Sequence, residues 1–244
     1  MDRERIKGAK ALVIIPAFNE QGKVAPLISR MPKECIEEVV VINDGSTDKT
    51  ASEASLAGAT VLSHSKREGI GVSVRTGIEY ALKHKFPFIV VMAGNGKDDP
   101  SQISRLLAPI LDDGYDYVQG SRYIEGGCYG KMPLHRFIFT HLYSFAVRFV
   151  SGFHITDGTN GFRAFKADIF QDNKIDIWQG WLKESLEYYI SLKAIKLGLR
   201  IKEVPVAKIY PCGVSYRQYT KVKPFSGWIE RLKPLVYLTL GFKS

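Results

Sequence analysis

Apolar residues run in short unbroken blocks through the first half of the chain, and a polar cluster follows several of them. ALVII (11–15), EEVVVI (37–42), ATVL (59–62), FIVVM (88–92) and YDYVQG (115–120) are rich in β-branched and aromatic residues. Runs of this kind suit strands buried on both faces of a parallel sheet. Between them the period changes. Val24, Leu27, Ile28 and Met31 stand at i, i+3, i+4 and i+7, the spacing of a helix face laid on such a sheet. Ser46 or Thr47 offers an N-cap for a second helix that ends near Gly58. A third helix is predicted from about Gly71 to Lys83, and a fourth begins after Pro100. Strands alternating with helices predict an open α/β sheet whose ligands gather at the carboxyl ends of its strands.

The second half reads differently. Residues 133–150 form an amphipathic helical pattern, TNGFRAF (159–165) reads as a strand or strand entry, and Trp181 to Leu197 reads as a helix. RIKEVPVAKIY (200–210) reads as a strand that Pro205 sets near a sheet edge. No linker separates the halves, and 244 residues are enough for one domain with an ample core.

The net charge of +9 favours anionic partners such as nucleic acid, nucleotide phosphates or an acidic membrane face. Nucleic acid is not expected, because there is no RNP-like aromatic strand, zinc spacing or recognition-helix signature. Cys35, Cys128 and Cys212 are odd in number and far apart, which suits small core residues in a reducing compartment rather than disulfides or a zinc site. The polar N-terminus lacks the apolar stretch of a secretory signal. Phe137 to Val150 is too short and too charged to span a bilayer. A cytoplasmic protein is expected. A Rossmann oxidoreductase fits poorly, since GIGVSVRTG follows the loop HSKRE rather than a strand.

Polar turns follow three of the strands, at Pro16–Glu20, Asn43–Asp48 and Gly94–Asp99. In a parallel sheet they converge, so Asn19, Glu20, Asp44, Ser46, Asn95, Lys97 and Asp98 are expected to line one crevice. Taken in order, IIPAFNE, VVVINDGSTDKT, EGIGVSVRTGIEYA, VVMAGNGKDDP, VQGSRY and TDGTNGFRAF resemble the successive motifs of family 2 glycosyltransferases of the GT-A fold. The branch they resemble most is the dolichol-phosphate mannosyltransferase-like one. The likeness continues through EVPVAKIYP to YTKVKPFSGW. It implies a mixed, mostly parallel sheet flanked by helices, with a nucleotide-sugar half (8–125) and an acceptor half (126–244).

By position, the resemblance implies that Pro16, Ala17, Asn19 and Glu20 border the nucleotide and that Asp44 accepts a hydrogen bond from the base, a ring N–H of uracil or guanine. Ser46, Arg75, Gly94 and Asn95 join the donor site on the same ground. Arg122 and Arg136 match positions that approach an acceptor phosphate, and Arg163 is placed near them with an ion-pair role as its alternative. Asp157 and Glu187 are the candidate bases or sugar-hydroxyl ligands. The donor is UDP- or GDP-linked, and the acceptor is a polyprenyl phosphate, a glycan or a small molecule.

One stretch departs from the family. Its members usually carry Asp-x-Asp, often followed by Gln, where this chain has Ala93, Asn95 and Lys97. A hard divalent cation wants several oxygen ligands, and these residues supply one neutral carbonyl. The Lys97 ammonium could instead neutralise the diphosphate. The expectation is a site with no required cofactor, Mg²⁺ or Mn²⁺ remaining possible through Asn95, Asp98 or Asp99. A binding-only protein is the non-enzymatic alternative. The basic, aromatic segment 133–153 and the tail from Trp228 suggest peripheral contact with a membrane. The chain ends without the membrane-spanning helices common in that branch, which keeps a fully soluble enzyme open.

Overall fold

A computed structural model describes residues 8–210 and 226–242, the side chains of residues 172, 173 and 226 excepted. Cys212 and most of the YTKVKPFSGW motif lie outside these residues. Seven strands make one sheet: β1 (Ala11–Ala17), β2 (Ile36–Asn43), β3 (Thr60–Ser63), β4 (Phe88–Val91), β5 (Tyr117–Ser121), β6 (Arg163–Lys166) and β7 (Ile201–Pro205), in the order β3-β2-β1-β4-β6-β5-β7. The pairs β1–β2, β1–β4, β2–β3 and β5–β7 are parallel, while β6 runs antiparallel between β4 and β5. This is the mixed, mostly parallel α/β sheet that the sequence predicts, with β7 at its edge.

Alternate side chains of β1 enter different cores. Leu12 and Ile14 pack with α3 (Ile70–Lys83), α5 (Leu134–Ser151), α6 (Leu186–Lys196) and α7 (Ser226–Leu240). Val13 and Ile15 pack with α1 (Val24–Ser29) and α4 (Ile103–Asp113). Each fully buried aliphatic side chain of this kind contributes about 1.5–3 kcal/mol. Helix α3 sits so close to the sheet that a Cβ on Gly77 would lie 2.3 Å from Cγ2 of Ile14. The glycine is there because nothing larger fits.

Four local expectations need correction. Met31 is buried but follows α1 instead of belonging to it. Ser46 does not cap α2 (Thr50–Leu56): its Oγ accepts the Asn19 N–H at 3.0 Å, and Asp48 Oδ1 accepts from Thr50 N at 2.9 Å. Helix α6 begins at Leu186, not near Trp181, because the Lys183 carbonyl is taken by the Gly71 N–H at 2.7 Å. Cys35 is buried in the core, where burial above all raises its pKa to about 11, but Cys128 is exposed.

The topology positions the site. The carboxyl ends of β1, β2, β4, β5 and β7 all meet one edge of the sheet, and antiparallel β6 starts there, with Arg163 beside Val91. Chain segments far apart in sequence therefore converge.

Candidate active site

A cavity of about 560 Å³ opens at that edge. Pro16, Ala17 and Glu20 come from the end of β1, Asp44 from the end of β2, and Gly94, Asn95 and Lys97 from the turn after β4. Arg136 enters from α5, and Glu187 from α6. Gly94 allows the turn to fold back on β1, since a Cβ there would meet Ala17 Cβ at 3.2 Å.

Asp44 is buried and ties down the loop before α3. Its Oδ1 accepts the Glu68 N–H at 2.8 Å and lies 2.9 Å from His64 Nδ1, while Oδ2 accepts the Gly69 N–H at 3.0 Å. Glu20 accepts from Lys23 Nζ at 2.7 Å, and its own N–H donates to Thr50 Oγ1 at 2.7 Å. Both side chains are thus held in place before any ligand arrives. At the mouth, the Arg67 guanidinium lies 4.5 Å from the centre of the Phe18 ring.

Lys97 is only 4% exposed and lies 4.7 Å from the Tyr210 ring centre. Burial, reinforced by Arg136 and Lys208, holds its pKa well below that of an ordinary lysine. Lys208 is also buried, and it pairs with Asp98. On the α6 side, Glu187 stands against Gly161, where a Cβ would come within 2.9 Å of Oε1. Glu184 also faces the cavity, and burial raises its pKa above the ordinary carboxyl value.

Several residues singled out in the sequence do not line this cavity. Asn19 and Ser46 stitch the first two turns together, with Asn19 Oδ1 accepting the Thr47 N–H at 2.9 Å. Arg75 donates to the carbonyls of Ile177 at 2.7 Å and Gln179 at 3.2 Å. Arg122 grips Asp157 through Nε–Oδ2 at 2.6 Å and Nη2–Oδ1 at 2.7 Å. Both are fully buried, so Asp157 is withdrawn from a base role and Arg122 from acceptor binding. Arg163, also buried, donates to the backbone carbonyls of Glu187 and Asn160 at 2.6 and 2.5 Å, so it is structural and not the expected acceptor-binding group, with backbone acceptors where the alternative had an ion pair.

The donor set for a divalent cation is poor. The Ala93 side chain has no ligand atom, Asn95 Oδ1 accepts the Lys97 N–H at 3.3 Å, Asp98 is committed to Lys208, and Asp99 caps the turn at Ser101. Among the described residues, no group of three or more His, Cys, Asp or Glu side chains could hold a metal. Asp98 and Asp99 therefore do not rebuild the missing carboxylates.

Residues 12–173, two thirds of the chain, match the family described as Glycosyl transferase family 2. The chain belongs to that family. This glycosyltransferase is 30% identical over 205 residues to the polyprenol monophosphomannose synthase of Mycolicibacterium smegmatis, covering 81% of this chain and 76% of the relative. It is 29% identical over 203 residues to the undecaprenyl-phosphate mannosyltransferase of Micrococcus luteus, covering 81% and 82%.

Its fold is that of glucosyl-3-phosphoglycerate synthase from Mycobacterium tuberculosis. A complex of that enzyme with Mg²⁺ and UDP has a TM-score of 0.73 at 18% identity, covering 98% of this chain and 82% of the other. A complex with Mn²⁺, UDP-glucose and phosphoglyceric acid gives 0.70 at 18% identity, covering 96% and 82%.

Family membership makes the protein an enzyme that draws on a nucleotide sugar. Sequence reasoning missed Lys208, Glu184, Glu230 and Arg231, all of which face the cavity. A lysine inside the apolar run VPVAKIY was the one available signal, because an unpaired charge there would be costly to bury.

Proposed function

We propose that this glycosyltransferase moves a sugar from a UDP-linked donor to the hydroxyl of a small-molecule or glycan acceptor, with Glu187 as the base. UDP is favoured over GDP because the synthase of the same fold is described with UDP and UDP-glucose. The observation that carries the acceptor class is the row of carboxylates, Glu184, Glu187 and Glu230, facing the cavity from α6 and α7 and the loop before α6. A hydroxyl needs a base to accept its proton, and a carboxylate within reach supplies one. An acceptor phosphate needs no base and is repelled by carboxylates.

In the transfer, the acceptor oxygen forms the new bond to the anomeric carbon. The bond from that carbon to the diphosphate breaks, and its electron pair leaves with UDP. The hydroxyl proton passes to Glu187. A single displacement of this kind inverts the anomeric centre. Asp44 accepts a ring N–H of the base, and Pro16, Ala17 and Glu20 border the nucleotide.

A second reading, transfer to a polyprenyl phosphate at the cytoplasmic face of a membrane, has its own support. Leu142, Phe145 and Phe149 on α5 are 60%, 65% and 83% exposed, and Ile229 and Leu240 on α7 are each 61% exposed. Arg148 and His141 stand beside the first stripe, a combination suited to an anionic lipid interface. The sequence relatives named for polyprenol and undecaprenyl phosphate point the same way. Among the described residues no helix is long and apolar enough to cross a membrane.

The test is product analysis with UDP-sugars against two acceptor sets: soluble small-molecule hydroxyl compounds and glycans, and polyprenyl phosphate in vesicles. Acceptor-dependent UDP release with the first set, abolished in Glu187→Gln, supports the main reading. Release with the second set alone replaces it.

A further inference from the structure

The turn after β4 is fastened to the segment after β7. The Ile209 N–H donates to the Lys97 carbonyl at 2.9 Å, and Asp98 and Lys208 form an antiparallel bridge as well as a side-chain ion pair. This fastening brings the Lys97 and Lys208 ammonium groups to the cavity wall that also carries Arg136. The carboxylate among them, Asp98, fixes Lys208 and has its other oxygen 3.4 Å from the Ala93 N–H. Among the described residues, Lys97, Lys208 and Arg136 thus share a largely water-excluded wall with Asp98, at the place where the side chains of Ala93 and Asn95 offer a divalent ion no anionic ligand.

We propose that Lys97, Lys208 and Arg136 together seat the diphosphate of the donor and hold the charge of the departing nucleotide, in place of a divalent ion. The inference rests on the glycosyltransferase reading above.

The chemistry is that of charge-assisted hydrogen bonds. A buried ammonium loses most of its hydration and is stabilised only by anions or fixed dipoles close by. An anionic group placed beside such cations makes charge-assisted hydrogen bonds that are shorter and stronger than neutral ones. Burial, Arg136 and Lys208 all work against the charge on Lys97, and the charge on Lys208 is opposed first by burial, with Asp98 the main group in its favour. Fixed cations placed where negative charge develops supply the electrostatic stabilisation that a bound metal provides in other sites. The Lys97–Tyr210 contact and the Asp98–Lys208 pair fix these groups before ligand arrives, so little reordering is needed.

Calorimetric titration of the full chain with UDP, GDP and the matching nucleosides tests this, each run in EDTA and then with Mg²⁺ or Mn²⁺. The expected result is nucleoside diphosphate binding in EDTA with an affinity within about threefold of that with metal. Lys97→Gln should weaken UDP binding at least about tenfold, equivalent to about 1.4 kcal/mol, while leaving uridine binding unchanged. The pairwise variant Asp98→Asn/Lys208→Met, which leaves no buried lone charge, should show the same selective loss, with melting curves confirming that both variants fold.

Binding that appears only with metal would overturn the inference and leave the glycosyltransferase reading intact. Equal losses for UDP and uridine would overturn it too, because the lysines would then be supporting the fold of the whole site. No diphosphate binding under any condition would overturn both.

Discussion

Arg122 and Asp157 form a closed, two-pronged ion pair, with Nε–Oδ2 at 2.6 Å, Nη2–Oδ1 at 2.7 Å and the Arg122 backbone N–H on Oδ2 at 3.1 Å. Burial opposes the charge on Arg122, but Asp157 more than offsets it, and the guanidinium pKa lies above its ordinary value. The pair joins the end of β5 to the loop that leads into β6, and Glu203 holds the same loop through the backbone N–H groups of Thr156 and Asp157 at 2.8 and 2.9 Å. Breaking a buried pair by removing one partner costs about 3–5 kcal/mol, whereas replacing both by apolar groups costs much less. Asp157→Ala is expected to lower the unfolding free energy measured by denaturant titration by that amount, and Arg122→Met/Asp157→Leu to recover much of it. An Asp157→Ala protein of normal stability and no turnover would return Asp157 to the chemistry.

Lys97 should make nucleotide binding depend on pH. Its pKa is lowered first by burial, then by Arg136 and Lys208, and Arg122 adds to this while Asp98 opposes it. A bound diphosphate favours the ammonium and raises that pKa, so binding takes up protons wherever pH lies between the free and bound values. UDP affinity is then highest below the free-state pKa and falls as pH rises above it. Titration in buffers of different ionisation enthalpy reads the uptake directly. An enthalpy independent of buffer across the alkaline range would contradict it.

The same burial has a consequence for stability. The unfolded chain holds the Lys97 proton more readily than the folded one, so the penalty is largest at low pH and shrinks as pH rises towards 10.5. Lys97→Met is expected to raise the melting temperature of the ligand-free protein at neutral pH while weakening UDP binding. Such opposed effects are common where a site is built at the expense of the fold. A variant less stable than the parent would mean that the ammonium is a net support.

Glu187→Gln separates the acceptor classes. With a hydroxyl acceptor, loss of the base should lower kcat by about 10²–10⁴ with little change in donor affinity. With a phosphate acceptor, turnover should survive. Steady-state kinetics with each acceptor decide the matter.

The apolar stripe on α5 bears on the lipid reading alone. Phe145→Ser/Phe149→Ser alters side chains that are 65% and 83% exposed, so folding should be nearly unaffected. If α5 meets a membrane, flotation with anionic vesicles should fall in this variant, while UDP binding should not change. Equal flotation of parent and variant would remove the stripe from membrane contact.

Much of the fold was legible because unbroken apolar runs such as FIVVM have few ways to be buried other than as central strands. The start of α6 was not, since it depends on Lys183 giving its carbonyl to Gly71, a partner more than a hundred residues away in sequence. The site was legible in part. Glu20, Asp44, Lys97, Arg136 and Glu187 reach the cavity, and the turns that carry the first three follow parallel strands whose ends converge. Asn19 and Ser46 occupy the same turns yet bond to each other's loops, a distinction that spacing cannot make. Arg75, Arg122 and Arg163 read as ligand-binding groups from their positions in the family resemblance, but their partners are backbone carbonyls or Asp157. Lys208 was missed because its importance comes from Asp98, 110 residues earlier in the chain.

Transfer to a hydroxyl is read by UDP release from UDP-sugars by the purified protein, with and without each acceptor class, compared between the parent and Glu187→Gln. The expected result is release that depends on a hydroxyl acceptor and is lost in the variant. UDP-sugar binding without release for any acceptor, polyprenyl phosphate included, would contradict it and leave a protein that binds nucleotide sugars without turning them over.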